Sequence, residues 1–123
     1  MSESIVTNIA KKKILLARAG LIPNLPKIVG MAFGNGASTR LPLETDTTLQ
    51  NEIYRQKVDN AVFQENELYV KYSTTLAQTT LKGQVINEIA LYDEDGDLLA
   101  IKTFSDKGKD GDMEMVFEIL DRF

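Results

Sequence analysis

The chain of 123 residues contains no cysteine, no histidine and no tryptophan. Without cysteine there is no disulfide framework, thiol nucleophile or thiolate zinc site, and nothing marks an oxidising compartment. Without histidine the Ser-His-Asp and Cys-His nucleophilic arrangements are excluded, and so are the zinc, copper and haem sites built on imidazole. Carboxylate or amine chemistry and oxygen-ligand cation binding stay open. Long apolar runs are missing too. No segment approaches the ~18 residues of a membrane span. The opening Met1-Ser2-Glu3-Ser4 leads through a mixed stretch to Lys11-Lys12-Lys13, unlike a signal peptide.

What is present suits one small domain spanning 1–123, with 43% apolar and 26% charged residues. A chain of this length buries roughly two-thirds of its unfolded surface, enough for a self-supporting core. The net charge of −4 is unevenly spread: residues 1–60 hold 8 basic and 5 acidic side chains, residues 61–123 hold 6 and 13. An acidic chain is a poor nucleic-acid binder, because neutralising phosphates needs a concentrated basic surface. A bipolar one suits contact between copies or docking on a charged partner.

Residues 3–19 read as a helix with Ser2 or Ser4 as N-cap, stopped by Gly20, Pro23 and Pro26. At about 100° per residue, Ile5, Val6, Ile9, Ala10, Ile14, Leu16 and Ala17 share one half of the wheel. Two residues break the pattern: Lys13 falls in the apolar arc, and Leu15 projects among Ser4, Asn8 and Lys11 on the polar side. Residues 27–33 suit a buried strand, 35–48 a surface loop, and 49–52 a helical turn. Strands are expected at 54–63 and 68–76, turning at Asn66, with a helical turn at 79–83. Residues 85–92 and 98–104 flank Asp93-Glu94-Asp95-Gly96-Asp97, a hairpin signal. A polar loop at 105–112 leads to alternation over 113–119, with Met113, Met115, Phe117 and Ile119 facing inward. The expected fold is α+β, an N-terminal helix packed on a mainly antiparallel sheet of about five or six strands.

Each chemical constellation has a plainer structural counterpart. Gly34-Asn35-Gly36 starts like a dinucleotide fingerprint, but position 39 is Thr39 and no helix follows, which leaves a turn. Neither Asp93-Asp95-Asp97 nor Asp106, Asp110, Asp112 and Glu114 keeps calcium-loop spacing, so both read as solvated turns and no metal or cofactor is expected. Lys11-Lys12-Lys13 wraps around its helix rather than lining one face. Glu88, an acid among apolar residues, reads as a structural ion pair with Arg55 or Lys102, or as a wet strand face. Tyr54 and Tyr69 are candidates for exposed stacking.

The run 87–101, with Glu88-Ile89-Ala90-Leu91-Tyr92-Asp93 and then Asp95-Gly96-Asp97-Leu98, resembles the bacteriophage tail-collar fibre proteins, whose segment reads Glu-Ile-Gly-Leu-Tyr/Phe-Asp followed by an Asp-Gly turn. Ala90 stands where that family usually has Gly. The opening helix near Gly20 and the strand ending in Gly34-Asn35-Gly36 are similar to the family's as well. In order and spacing the likeness covers nearly the whole chain. It implies a non-enzymatic structural component of a phage or prophage tail, made in the bacterial cytoplasm and assembled into the virion tail. Fibre proteins commonly continue into a shaft and receptor-binding tip, a departure that leaves host recognition outside what the resemblance implies; the matching region is similar to the family's N-terminal part, which implies attachment at the tail fibre, collar or baseplate. Partners would be other tail proteins and further copies, not nucleic acid or membrane. The alternatives are a carbohydrate-binding module using Tyr54 and Tyr69, or a small carboxylate enzyme. The candidate contact is Leu15 with Lys11, Lys12 and Arg18, where the basic half of one copy meets an acidic surface of its partner.

Overall fold

The computed structural model describes residues 3–122, and of Glu3 the backbone only. Its elements are β1 (Glu3–Val6), α1 (Asn8–Arg18), β2 (Ile28–Gly34), β3 (Glu52–Lys57), β4 (Asn60–Gln64), β5 (Tyr69–Leu76), β6 (Val85–Asp93), β7 (Leu98–Gly108) and β8 (Met115–Arg122). All pairings are antiparallel, in a five-stranded sheet ordered β1-β7-β6-β2-β3 and a three-stranded sheet ordered β4-β5-β8.

The fold is therefore mainly β, not α+β, and the correction starts at the N-terminus. Ser4, Ile5 and Val6 pair with Lys102, Ile101 and Ala100 of β7 instead of opening the helix. β-branched Ile5 and Val6 fit a pleated edge strand at least as well as a helix, and the long-range ladder decides between them. The N-cap is Thr7, whose hydroxyl accepts from the Ala10 N–H and donates to the Leu98 carbonyl at 2.8 Å. Of the two expected caps, Ser4 lies in β1 and Ser2 lies outside the described residues. The shortened α1 buries only Ala10 and Lys13, and neither joins an apolar core cluster. It lies beside β7, and its Ala10, Lys13 and Ile14 line a cleft with Leu91 and Ala100 of the larger sheet.

The faces are covered by other elements. On one side of the larger sheet Met31, Phe33, Ile89, Leu91 and Ala100 meet Leu76, Phe117 and Ile119 of the smaller sheet. Phe33 and Phe117 pack edge to face, with centroids 5.2 Å apart. On the other side Ala32, Ala90 and Ile101 lie under Leu49, which the loop between β2 and β3 folds back over them. This loop holds no helical turn at 49–52, because Leu49 acts as its apolar anchor.

Four further expectations shift. Residues 54–63 do not form one strand: the chain leaves the larger sheet after Lys57 and enters the smaller one at Asn60, a switch that the apolar pattern does not mark. The polar run 105–108 continues β7, and Gly108 pairs with Val85. Met113 precedes β8 and is exposed, while Phe117 and Ile119 are buried as the alternation requires. The expected helical turn at 79–83 is a series of turns, with Leu81 and Gly83 at positive φ. The 93–97 hairpin stands as expected, with Gly96 at φ 86°.

Candidate functional site

Each polar position of the 88–93 segment has a structural partner. Glu88 is only 1% exposed. Its Oε1 accepts the Gln50 N–H, and its Oε2 accepts those of Gly36 and Asn51, each at 2.9 Å. Its partners are thus three backbone amides, not Arg55 or Lys102. Arg55 pairs with Glu52, and Lys102 donates to the Glu118 carbonyl. Adjacent Asn87 accepts the Ala37 N–H at 3.0 Å, so two consecutive side chains of β6 hold both ends of the long loop. The Gly34-Asn35-Gly36 motif fits the same geometry. A Cβ at Gly34 would meet Glu88 Oε2 and the Asn51 carbonyl at 2.5 Å, and one at Gly36 would meet the Asn51 nitrogen at 2.8 Å. The glycines admit a carboxylate of the protein itself rather than a phosphate. Tyr92 lies across Gly30, with the Arg55 guanidinium 4.8 Å above its ring.

Asp93 closes the segment and accounts for Lys13. Lys13 is 9% exposed, and its ammonium sits 2.5 Å from Asp93, 2.8 Å from Asp97 and 3.0 Å from Asp95. Asp93 Oδ1 also accepts the N–H groups of Asp95 and Asp97. Burial pushes the Lys13 pKa down, but its bonds to Asp93, Asp97 and Asp95 outweigh that and raise it above the ordinary lysine value. Among the described residues this is the one acidic group whose carboxylate oxygens converge within 4.8 Å. A protein cation already occupies its focus. Lys13 thus pins α1 to the β6–β7 turn, a tether announced by a lysine in an apolar arc and by three aspartates at alternate positions.

Lys109 had no such signal in its Gly/Lys/Asp-rich surroundings. It is 1% exposed, and its ammonium donates to the carbonyls of Gln78, Met113 and Asp110 at 2.8, 2.8 and 3.1 Å. It ties the turn before β6 to the loop before β8.

Lys11, Leu15 and Arg18 form one stripe along the outer face of α1, while Lys12 lies about a quarter turn away. All four are exposed, Leu15 by 63%. Lys11 is ion-paired to Glu44 of the long loop. Lys12 and Arg18 enter no ion pair among the described residues. The tyrosines are not presented together. Tyr54 packs on Phe33 from β3, at 6.3 Å between centroids, and half-buried Tyr69 belongs to β5 in the other sheet.

Between the open ends of the two sheets runs a cleft of about 220 Å³, lined by Val6, Ala10, Ile14, Leu25, Leu91 and Ala100, with Tyr72 and Asp121 from the smaller sheet. A second hollow of about 300 Å³ between the β1 and β8 edges shares Val6, Ala100 and Asp121 with it. Burial pushes the Asp121 pKa up, and burial together with the Asp121 charge raises that of Tyr72. Asp121 has no hydrogen-bond or ion-pair partner among the described residues.

A family model described as "Phage tail-collar fibre protein, N-terminal" matches residues 1–116. No curated protein and no solved structure matched the chain.

Proposed function

From the premise that the chain belongs to the phage tail-collar fibre protein family, with its likeness to the N-terminal part spanning residues 1–116, we propose that it is an attachment domain. It joins a tail fibre to the collar or baseplate by docking on another tail component or on a copy of itself. The family is one of structural tail components that assemble into the virion with other tail proteins. No helix of the described residues is long and apolar enough to cross a membrane.

The observation that carries the docking is the outer face of α1. Leu15 projects there 63% exposed, beside Arg18, which has no ion-pair partner among the described residues. A single exposed leucine is ordinary. Here it lies on a helix that buries only Ala10 and Lys13 and is tied by Lys13 to the 93–97 turn, so the opposite face is turned outward. The buried acids support a structural role over a carboxylate enzyme, because Glu88 is committed to three amides and Asp93 to Lys13.

Leu15→Asp tests the reading. An exposed substitution scarcely alters folding, so the melting temperature stays within a few degrees. A charge placed in an apolar contact abolishes docking. Pull-down of purified tail proteins from the same phage, alongside light scattering, reads the outcome. Undiminished capture by the variant removes α1 from the interface.

A further inference from the structure

The two hollows between the sheets make one groove with an unusual interior. The first part is walled mostly by apolar residues, Val6, Ile14, Leu25, Leu91 and Ala100, the second adds the polar Ser4 and Arg122, and Asp121 stands where the two parts join. Lys13 also lines the groove, but its charge is consumed by the three aspartates of the 93–97 turn. Lys27 lines the first hollow and Arg122 the second. Asp121 is half-buried and has no ion-pair partner among the described residues, an arrangement that costs a carboxylate free energy unless something arrives to pair it. The complementary occupant is an apolar side chain with a guanidinium or ammonium about one helical turn away. That pattern stands exposed on α1 as Leu15 and Arg18, three residues apart and so on one face.

We propose that the groove receives the outer face of α1 from a second copy of this chain, with Leu15 seated among the apolar wall residues and Arg18 beside Asp121. The inference rests on the α1 docking reading and names its receiving surface. The contact joins two different surfaces, so each copy offers both a projecting face and a groove. Leu15 leaves water for a lining that lacks an occupant, and the ion pair fixes the register of the helix along the groove. The uneven charge along the chain acquires a place: a cation from the basic first half meets an acid from the acidic second half.

Sedimentation equilibrium of the whole chain with two variants decides it. Asp121→Asn keeps the side-chain shape and removes the desolvated charge. Arg18→Glu is an exposed change on the helix. Circular dichroism melts check that both fold. Wild type is expected to self-associate, and each variant alone to do so at least about tenfold more weakly. Mixing the variants is expected to restore a one-to-one complex, because Arg18→Glu retains the groove acid and Asp121→Asn retains the projecting face. A wild type monomeric at ~1 mM, where only contacts weaker than about −4 kcal/mol escape detection, overturns the proposal. So does either variant associating as wild type does, or a mixture that forms no complex. A monomeric wild type whose Leu15→Asp form still loses a tail partner removes this inference and leaves the preceding one standing.

Discussion

Replacing Lys13 by Met removes the ammonium that three aspartates share while keeping an unbranched apolar stem of similar length. Asp93 is the partner that suffers, because its side chain is fully buried and loses a cation 2.5 Å away. Deleting one member of a buried pair costs about 3–5 kcal/mol when the other charge is stranded. Two features reduce that here. Asp93 keeps the N–H groups of Asp95 and Asp97 as donors, and the half-exposed carboxylates of Asp95 and Asp97 turn to water. The expected loss is about 2–3 kcal/mol, or ~8–12 °C in melting temperature at about 4 °C per kcal/mol for a domain of this size. Urea melts at neutral pH measure it, with Lys12→Met as the exposed control expected within about 0.5 kcal/mol. Adding Asp93→Asn to Lys13→Met should recover part of the loss, since the stranded charge is then gone. The alkaline limb supplies an independent sign. A lysine whose pKa is raised on folding contributes fully below its unfolded value and loses that contribution as pH rises through the folded one. The gap between wild type and Lys13→Met should therefore hold constant through neutral pH and close only above about 10.5, the ordinary lysine value. A Lys13→Met protein as stable as the Lys12→Met control would refute the tether.

Three further outcomes are expected. Glu88→Gln offers one amide oxygen where a carboxylate accepted three N–H groups, so it should cost about 2–3 kcal/mol and speed hydrogen exchange at Gly36, Gln50 and Asn51; native protection at all three would remove Glu88 as the loop anchor. Phe117→Ala deletes a ring packed against Phe33 and Phe104 and should cost about 3–5 kcal/mol, whereas Glu114→Ala, at an exposed position just before β8, should stay within about 0.5 kcal/mol; equal losses in denaturant melts would contradict the burial of Phe117 between the sheets. Calorimetry with calcium should show no binding tighter than ~10 μM, a sensor-site range, because an ion at Asp93, Asp95 and Asp97 must displace Lys13; tight binding would show that the ammonium is readily expelled.

Local features with a short physical range were legible in the sequence. The strand at 28–34, the hairpin about Gly96, the alternation that buries Phe117 and Ile119, and the family likeness of the 87–101 run all depend on neighbours or on period-two burial. The anomalies were visible as well: Lys13 in an apolar arc, Leu15 on a polar face and Glu88 in an apolar strand each broke a pattern, though the sequence named no partner for any of them. Partners were decided only when distant segments met. β7 drew residues 3–6 out of the helix, because a ladder of backbone bonds and the burial of Ile5 against the sheet outweigh the helix preference of four residues. The division into two sheets rested on a crossing at residues 58–59 that no break in the apolar pattern marks, since Val58 itself packs against the core and the exposed β4 follows. The three amides under Glu88, the three aspartates around Lys13 and the three carbonyls around Lys109 come from segments separated by up to tens of residues in sequence. Only the closed sandwich brings the distant donors and acceptors to about 3 Å of one another, and only there does Asp121 come to stand in a groove with no ion-pair partner among the described residues.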